Sequence, residues 1–436
     1  MSNNISRRDF LKISGLTLGS LSFRHLIPQA KPLNPNIFII LSDDQRYDTM
    51  DYMPRTKARI LDEGVTFTNA FCTTPLCAPS RVSILTGMYA HNHGVHNNGD
   101  QYTQTTFVER LHNIGYLTGQ VGKYVNGYKR KLPEFDSWIV PISGDYYDPI
   151  FNVNGSQVAH TGYLTDILRD YALQFLEQAT QENRPFLLLF WSPAPHLPAD
   201  PAPGDEDLYL DLPPHRPPNF NEDDVTDKPA WLRNLSPLSE NEVQSIDEFR
   251  IKQLQCLNSL DQAIESLLLL LEANNQLDNT LVVYLSDNGN FWGEHRLNGK
   301  MRVYESAQKI PFAIRYPRLV PQPYIENRIV ANIDIAPTIY KLTGITVPGE
   351  IDGRSLIPLL TGSQRWRNDI LLEGWPNNPY AAVRTNRYVY VETEGDLSEL
   401  YDLKFDPYQL NNKINDTKYV NIIASLQSRL AQLRVS

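Results

Sequence analysis

The sequence predicts an α/β protein: a mostly parallel sheet flanked by helices, with a small α+β subdomain at the C-terminal end. Three observations carry this. Continuous apolar runs at residues 36–41 (NIFIIL), 186–191 (FLLLFW) and 280–286 (TLVVYLS) suit strands buried on both faces. Segments of helical spacing alternate with them. Beyond about residue 365 the texture changes to short paired strands and a terminal helix.

The elements follow in chain order. Residues 36–41 form a strand that stops at Ser42-Asp43-Asp44. Residues 54–63 have helical spacing and end at Gly64, a residue suited to the position just past a helix. Residues 65–71 alternate as a second strand. Residues 107–113 make a short helix closed by Gly115, and residues 163–182 a longer amphipathic one. The run 186–191 leads into Ser192-Pro193-Ala194-Pro195-His196. Residues 198–237 are polar and proline-rich and read as a surface excursion. Ser239, with Glu242 three residues on, is a capping box opening a helix that runs to Asn274. The run 280–286 ends at Asp287-Asn288-Gly289. Residues 310–316 are another strand, and residues 334–342 a helix closed by Gly344. Residues 381–385 and 388–391 read as a hairpin across Asn386-Arg387, and residues 420–434 as the last helix.

Composition limits the function. The chain has 436 residues, 41% hydrophobic and 21% charged, which excludes a disordered or fibrous protein. Forty Lys and Arg against 50 Asp and Glu give a net charge of −10 with no basic stripe, so no nucleic-acid partner is expected. The cysteines, Cys72, Cys77 and Cys256, are odd in number and lack zinc spacing, so at least one is free and no disulfide framework exists.

The N-terminus reads as an address. Ser6-Arg7-Arg8-Asp9-Phe10-Leu11-Lys12 resembles the twin-arginine export signal. The weakly apolar stretch after it, residues 13–23, is too short and polar to span a membrane. No cysteine lies near its end, so no stable membrane anchor is expected. Residues 1–31 are therefore set apart from the fold, and the protein is expected in the periplasm after passage through the twin-arginine translocase.

Three buried strands end in polar groups: Asp43-Asp44, His196 and Asp287-Asn288. In open α/β sheets, ligands bind beyond the carboxyl ends of the strands. Three carboxylates and an amide oxygen gathered in a dry place repel one another unless a cation joins them. Oxygen ligands select a hard ion, Ca²⁺ or Mg²⁺. One such pair alone more often caps a turn, but two pairs at equivalent strand ends favour the ion. The segment Cys77-Ala78-Pro79-Ser80-Arg81-Val82-Ser83-Ile84-Leu85-Thr86-Gly87 is read as a helix opening at Ser80. Its first N–H groups would face an anion, and Arg81 would fork onto it.

That segment, C-x-P-S-R-x-x-x-L-T-G, resembles the signature of the type I sulfatases of the alkaline-phosphatase superfamily. The resemblance runs through nearly the whole chain after residue 32. It includes Ser42-Asp43-Asp44-Gln45, Gly122-Lys123, Ala194-Pro195-His196, Ser286-Asp287-Asn288-Gly289, Gly293-Glu294-His295, Gly299-Lys300 and Glu399-Leu400-Tyr401-Asp402-Leu403. It implies a large mixed, mostly parallel sheet in residues 32–365 and a small subdomain in 366–436. It implies that Cys77 becomes Cα-formylglycine through a formylglycine-generating enzyme. Asp43, Asp44, Asp287 and Asn288 would hold Ca²⁺, or Mg²⁺, together with hydrated residue 77. Arg81, Lys123, His196 and Lys300 would hold sulfate and move protons, with His295 near the site. One hydroxyl of the hydrate would attack sulfur, an acid would protonate the departing alcohol, and the second hydroxyl would expel sulfate.

Many members carry a histidine two residues after the site lysine. Here Lys123 is followed by Tyr124-Val125-Asn126-Gly127-Tyr128, so Asn126 would supply the polar group toward substrate. This form is similar to the N-acetylglucosamine-6-sulfatase branch, as is the segment holding His91, His93 and His96, which reads as a packed rim rather than a metal cluster. The substrate implied is a sulfated sugar or an aryl sulfate. A phosphatase or phosphonate monoester hydrolase on the same scaffold is the first alternative. A catalytically silent exported glycan-binding protein is the second, although the residues whose loss would mark it are all present.

Overall fold

The apolar runs lie at the centre of a ten-stranded sheet in the computed structural model, which describes residues 34–435 apart from 127–131, 183 and 363–364. The export-signal reading and Tyr128 fall outside the described residues. The strands are β1 (Asn36–Ser42), β2 (Val65–Phe67), β3 (Leu117–Gly122), β4 (Ser137–Pro141), β5 (Ile150–Val153), β6 (Ser156–Ala159), β7 (Phe186–Trp191), β8 (Thr280–Ser286), β9 (Phe312–Arg315) and β10 (Tyr324–Glu326). Their order is β10-β2-β9-β8-β1-β7-β3-β4-β5-β6. The centre, β8-β1-β7-β3-β4, is parallel. Antiparallel β9 on one side and the β5-β6 hairpin on the other make the sheet mixed.

Both faces of the central strands are covered. Ile37, Ile39, Leu187, Leu189, Leu281 and Val283 share one core with helices α1 (Cys77–Thr86), α2 (Phe107–Asn113) and α5 (Ile335–Thr343). The alternate residues Phe38, Ile40, Leu188, Phe190 and Val282 share the other with α3 (Leu164–Gln181) and α4 (Glu240–Ala273). Two cores from one period of two explain why these strands are apolar at every position. The capping box at Ser239 and Glu242 opens α4 as expected.

Several expectations are corrected. Residues 54–63 form one α-turn, Pro54–Thr56, that widens into a π-turn, Lys57–Leu61. Residues 65–71 split into β2 and the two-residue strand Ala70–Phe71, which leaves the sheet to pair with Val330–Ala331. Helix α1 begins at Cys77, not Ser80, because a proline in the first turn has no N–H to leave unsatisfied. Strand β3 was not foreseen. Its sequence, LTGQVG, lacks an apolar run because contact demands glycine: a Cβ at Gly119 would meet the Phe175 ring at 2.6 Å. At Gly122 a Cβ would lie 2.1 Å from the Trp191 carbonyl oxygen, and φ is +106°.

The C-terminal part is an antiparallel sheet of β11 (Asp369–Gly374), β12 (Tyr380–Thr385), β13 (Tyr388–Thr393) and β14 (Glu399–Asp402). Helix α6 (Val420–Leu433) covers it with Leu426, Leu430 and Leu433. Among the described residues no helix is long and apolar enough to cross a membrane.

Candidate active site

Register places the chemistry. Ser42 pairs with Ser286, Leu41 with Trp191, and Gly122 with Trp191, so β1, β8, β7 and β3 end at one level. The next residues are Asp43, Asp287, Ser192 and Lys123. Backbone bonds tie these ends together: the N–H groups of Asp287, Asp43 and Lys123 donate to the carbonyls of Ser42 (3.1 Å), Ala194 (3.1 Å) and Trp191 (2.8 Å). Asp44 turns its backbone with φ of +64° and donates its N–H to Asp287 Oδ1 at 3.1 Å.

Asp43, Asp44 and Asp287 thus converge, all buried. Each has cationic or amide company. Lys123 Nζ donates to Asp43 Oδ2, and Lys300 Nζ to Asp44 Oδ1. Asn288 Nδ2 donates to Asp44 Oδ1 at 2.7 Å. Arg81 Nε donates to Asp287 Oδ2 at 2.9 Å, and its Nη2 lies 3.1 Å from Asp43 Oδ2. Burial pushes the Asp43 carboxyl up, but Lys123 and Arg81 outweigh it and hold the group well below its ordinary range. Asp287, pushed by burial and by the Asp43 charge, is raised instead. Burial opposes the charge on Lys300, but Asp44, with Asp43 and Asp287 beside it, outweighs that and holds the ammonium well above its ordinary range.

Cys77 sits in the middle. Its Sγ accepts from Lys300 Nζ at 2.8 Å and lies 3.5 Å from Lys123 Nζ and 3.4 Å from Asp43 Oδ1. Burial, with the Asp43 charge, pushes this thiol up to about 12, so at neutral pH it is no thiolate nucleophile. One potential ligand atom each from Asp43, Asp44, Cys77 and His196 lies within 4.8 Å of the others. His196 Nε2 is 3.8 Å from Asp44 Oδ2, and its Nδ1 is fixed 2.8 Å from the Leu197 carbonyl.

These donors fit a hard cation. Asn288 Oδ1 is buried without a hydrogen-bond partner, an acceptor left over beside three carboxylates. The charge balance agrees. Arg81, Lys123 and Lys300 offset the three carboxylates, so a divalent ion would leave a double positive charge facing whatever enters.

Three expectations change. The N-terminus of α1 is not a free anion cradle: the Ala78 N–H is taken by Asn98 Oδ1 at 3.0 Å, Pro79 has none, and the Ser80 N–H bonds Leu76 O. Arg81 does not fork toward an incoming anion. It is fully buried and spreads over Asp43, Asp287 and the carbonyls of Lys123 and Tyr124. His295 is also fully buried. Its Nδ1 is 2.6 Å from Glu222 Oε2 and its Nε2 3.1 Å from Asn219 Nδ2, so neither nitrogen is left for substrate. Asn219 and Glu222 come from the proline-rich stretch, which is thus not only a surface excursion, and no pattern there announces them. Asn126 does line a cavity beside Lys123. The histidine cluster diverges as a packed rim. His93 is 3.0 Å from Ser83 Oγ, His91 is 2.8 Å from Glu373, and His96 stacks on Trp375 at 3.9 Å.

Carboxylates at aligned strand ends, ringed by fixed cations around a buried residue 77, form a group in an α/β protein that could hold a metal ion. The chain belongs to the sulfatase family, whose model matches residues 35–345. A second model, N-sulphoglucosamine sulphohydrolase, C-terminal, matches residues 293–436. The chain is 35% identical to the extracellular sulfatase SULF-1 homolog of Drosophila melanogaster over 371 residues, 80% of this chain but only 33% of that protein. It is 31% identical to human N-acetylglucosamine-6-sulfatase over 469 residues, covering 92% of this chain and 84% of the relative. A protein solved in complex with its substrate D-glucosamine-2-N,6-O-disulfate superposes with a TM-score of 0.82 at 27% identity, covering 92% and 97% of the two chains.

Proposed function

We propose that this protein is a sulfuric ester hydrolase acting on a sulfated carbohydrate, and that aryl sulfates serve as model substrates. The observation that carries the reading is the arrangement around Cys77: two lysines within reach of its sulfur, and three carboxylates with an unpartnered amide oxygen beside it. Asp43, Asp44, Asp287 and Asn288 would hold Ca²⁺, which supplies a fixed positive charge for the sulfate oxygens. Converted to formylglycine and hydrated by one water, residue 77 would carry two hydroxyls on one carbon, one to take the sulfuryl group and one to release it as the aldehyde returns. The modification is made by a formylglycine-generating enzyme before export through the twin-arginine translocase to the periplasm.

The other roles follow from position. Lys123 and Lys300 flank residue 77 and meet charge on the transferring group; one such donor is worth roughly 10²–10³ in rate. Their hydrogen bonds to Asp43 and Asp44 keep both ammonium groups in place. His196, on the wall toward the leaving alcohol, holds the proton that the alcohol takes, with Lys300 as the second candidate. Arg81 is a positioning residue that sets the spacing of Asp43 and Asp287.

Hydrolysis of 4-nitrophenyl sulfate with added Ca²⁺, measured beside 4-nitrophenyl phosphate, tests this. Faster turnover of the sulfate supports it; a strong preference for the phosphate would favour the phosphatase alternative. Mass spectrometry of the peptide around Cys77 should show CH₂SH replaced by CHO, with Cys72 still a thiol.

A further inference from the structure

The loop that carries His196 is held by a side chain 58 residues away from it in sequence. Three of the six residues from Pro193 to Pro198 are prolines, so the segment has few N–H groups to pair its own carbonyls. Each carbonyl from 193 to 197 nevertheless has a donor. Pro193 O accepts from the His196 N–H at 2.8 Å, and Ala194 O from the Asp43 N–H at 3.1 Å. Pro195 O accepts from Gln253 Nε2 at 3.1 Å. His196 O accepts from the Tyr146 hydroxyl at 2.7 Å, and Leu197 O from His196 Nδ1 at 2.8 Å. A carbonyl can only accept, so Nδ1 carries its hydrogen and Nε2 is the nitrogen turned to Asp44, 3.8 Å away. Tyr146 also lines the cavity beside His196. Gln253 is 1% exposed and acts only through the groups it bonds.

Gln253, in the middle of α4, holds a second loop as well. Its Oε1 accepts from the Trp292 indole N–H at 2.6 Å. An indole nitrogen only donates, which fixes the carboxamide with its oxygen toward Trp292 and its nitrogen toward Pro195. Arg46 lies over the indole at 4.3 Å and holds its plane. Phe291 pairs with Gly299 and Trp292 with Asn298, and the next residue is Lys300. One buried amide thus spans the two loops that bring His196 and Lys300 to residue 77. We infer that Gln253 is a positioning residue for release of the alcohol: it sets His196 Nε2 against Lys300 so that a proton reaches the leaving oxygen as its bond to sulfur breaks. The inference rests on the sulfatase reading and adds to it a residue that does not meet substrate. A poor leaving group depends on that proton, whereas 4-nitrophenolate departs with little help. A donor displaced by a fraction of an ångström therefore costs rate in proportion to how poor the leaving group is.

The test uses the full chain with residue 77 converted and Ca²⁺ present. Turnover of 4-nitrophenyl, 4-chlorophenyl and phenyl sulfate is compared in the wild type and in Gln253→Met, which keeps the length of the side chain but cannot donate to Pro195. The variant should lose about tenfold or more in kcat/KM on phenyl sulfate, less than about threefold on 4-nitrophenyl sulfate, and an intermediate factor on the third. Ca²⁺ should raise its melting temperature as much as that of the wild type, since the strand-end carboxylates are untouched. Trp292→Phe keeps an aromatic ring and removes only the indole N–H. It should show the same order of losses at smaller size, and it carries the test if Gln253→Met does not fold. Equal losses on all three sulfates in a folded variant, or none, overturn the inference, because general loosening of the fold does not distinguish leaving groups. Either result leaves the sulfatase reading standing. Failure of the wild type to hydrolyse any of the three sulfates overturns the sulfatase reading itself, and the role of Gln253 falls with it.

Discussion

Two buried acidic clusters lie in this molecule, and they behave in opposite ways. At the strand ends, Asp43, Asp44 and Asp287 each touch a fixed cation or a backbone N–H, and His196 beside them is 35% exposed at its side chain. Behind, between the proline-rich stretch and β14, lies a closed group: Glu222, Lys228, His295, Tyr304, Tyr401 and Glu399. Lys228 and His295 there are fully enclosed, and each ring nitrogen of His295 has a protein partner. The first cluster surrounds its carboxylates with cations, which hold Asp43 well below its ordinary range. The second gives Glu399 two tyrosine hydroxyls, and burial pushes that carboxyl up to about 7. Burial of charge is common to both. Each also holds a buried oxygen without a hydrogen-bond partner, Asn288 Oδ1 in the first and Glu399 Oε2 in the second; access and the fixed cations at the strand ends are what mark the first as a site.

The sharpest way to break the contrast is to remove a strand-end carboxylate. Asp287→Ala should lower sulfatase activity by more than about a hundredfold, the scale of one charge-stabilising group. Ca²⁺ should then cease to raise the melting temperature, since only a native-state ligand stabilises by mass action. An undiminished Ca²⁺ shift would show that Asp287 holds no ion.

Arg81→Leu comes next in size. It leaves two buried carboxylates without their shared guanidinium, a change that costs roughly 3–5 kcal/mol. Added Ca²⁺ should restore more stability to this variant than it adds to the wild type, because the ion replaces part of the missing charge. Equal Ca²⁺ gains, read by calorimetry, would mean that Arg81 does not balance these carboxylates.

How legible this was depends on what each feature is made of. Asp43-Asp44 and Asp287-Asn288 stand out because each ends an apolar run, and two strands buried on both faces must be central. Local pattern alone therefore fixes which end of the sheet they share. Strand β3 was hidden because the contacts of Gly119 and Gly122 erased the apolar signal that finds strands. The start of α1 was misplaced because Pro79 reads as a boundary when it is a first-turn residue. The role of Arg81 and the seclusion of His295 depend on partners up to 206 residues away, such as Asp287, and no local pattern carries that information.

The second cluster yields a smaller effect that checks the placement of His295. Glu222→Gln breaks a buried charged contact to His295 and Lys228 and should cost about 1–3 kcal/mol of stability. The KM for a sulfated sugar should change less than about threefold, since neither residue meets substrate. A large KM change in a variant that melts normally would return His295 to the substrate surface.

The smallest effect is the most specific, and it belongs to Glu399. Its folded pKa, about 7, lies above the ordinary value of 4.5 because burial opposes the charge more than Tyr401, Tyr304 and nearby Lys228 favour it. Between those two values the folded chain binds a proton that the unfolded chain has released. Stability from this group is therefore fully present below about pH 4.5 and is lost as pH rises through 7. Glu399→Gln keeps the shape and an oxygen to accept from both tyrosines, but it cannot ionise. At pH 5 the variant should melt at or slightly below the wild-type temperature. At pH 8.5 it should melt above it, because the wild type then holds a buried charge, with only the more distant Lys228 to offset it. Other titrating groups are common to both proteins and cancel in the difference. A difference in melting temperature that stays flat from pH 5 to 8.5 would show that Glu399 is ionised throughout. Glu399 would then resemble Asp43 in keeping its charge.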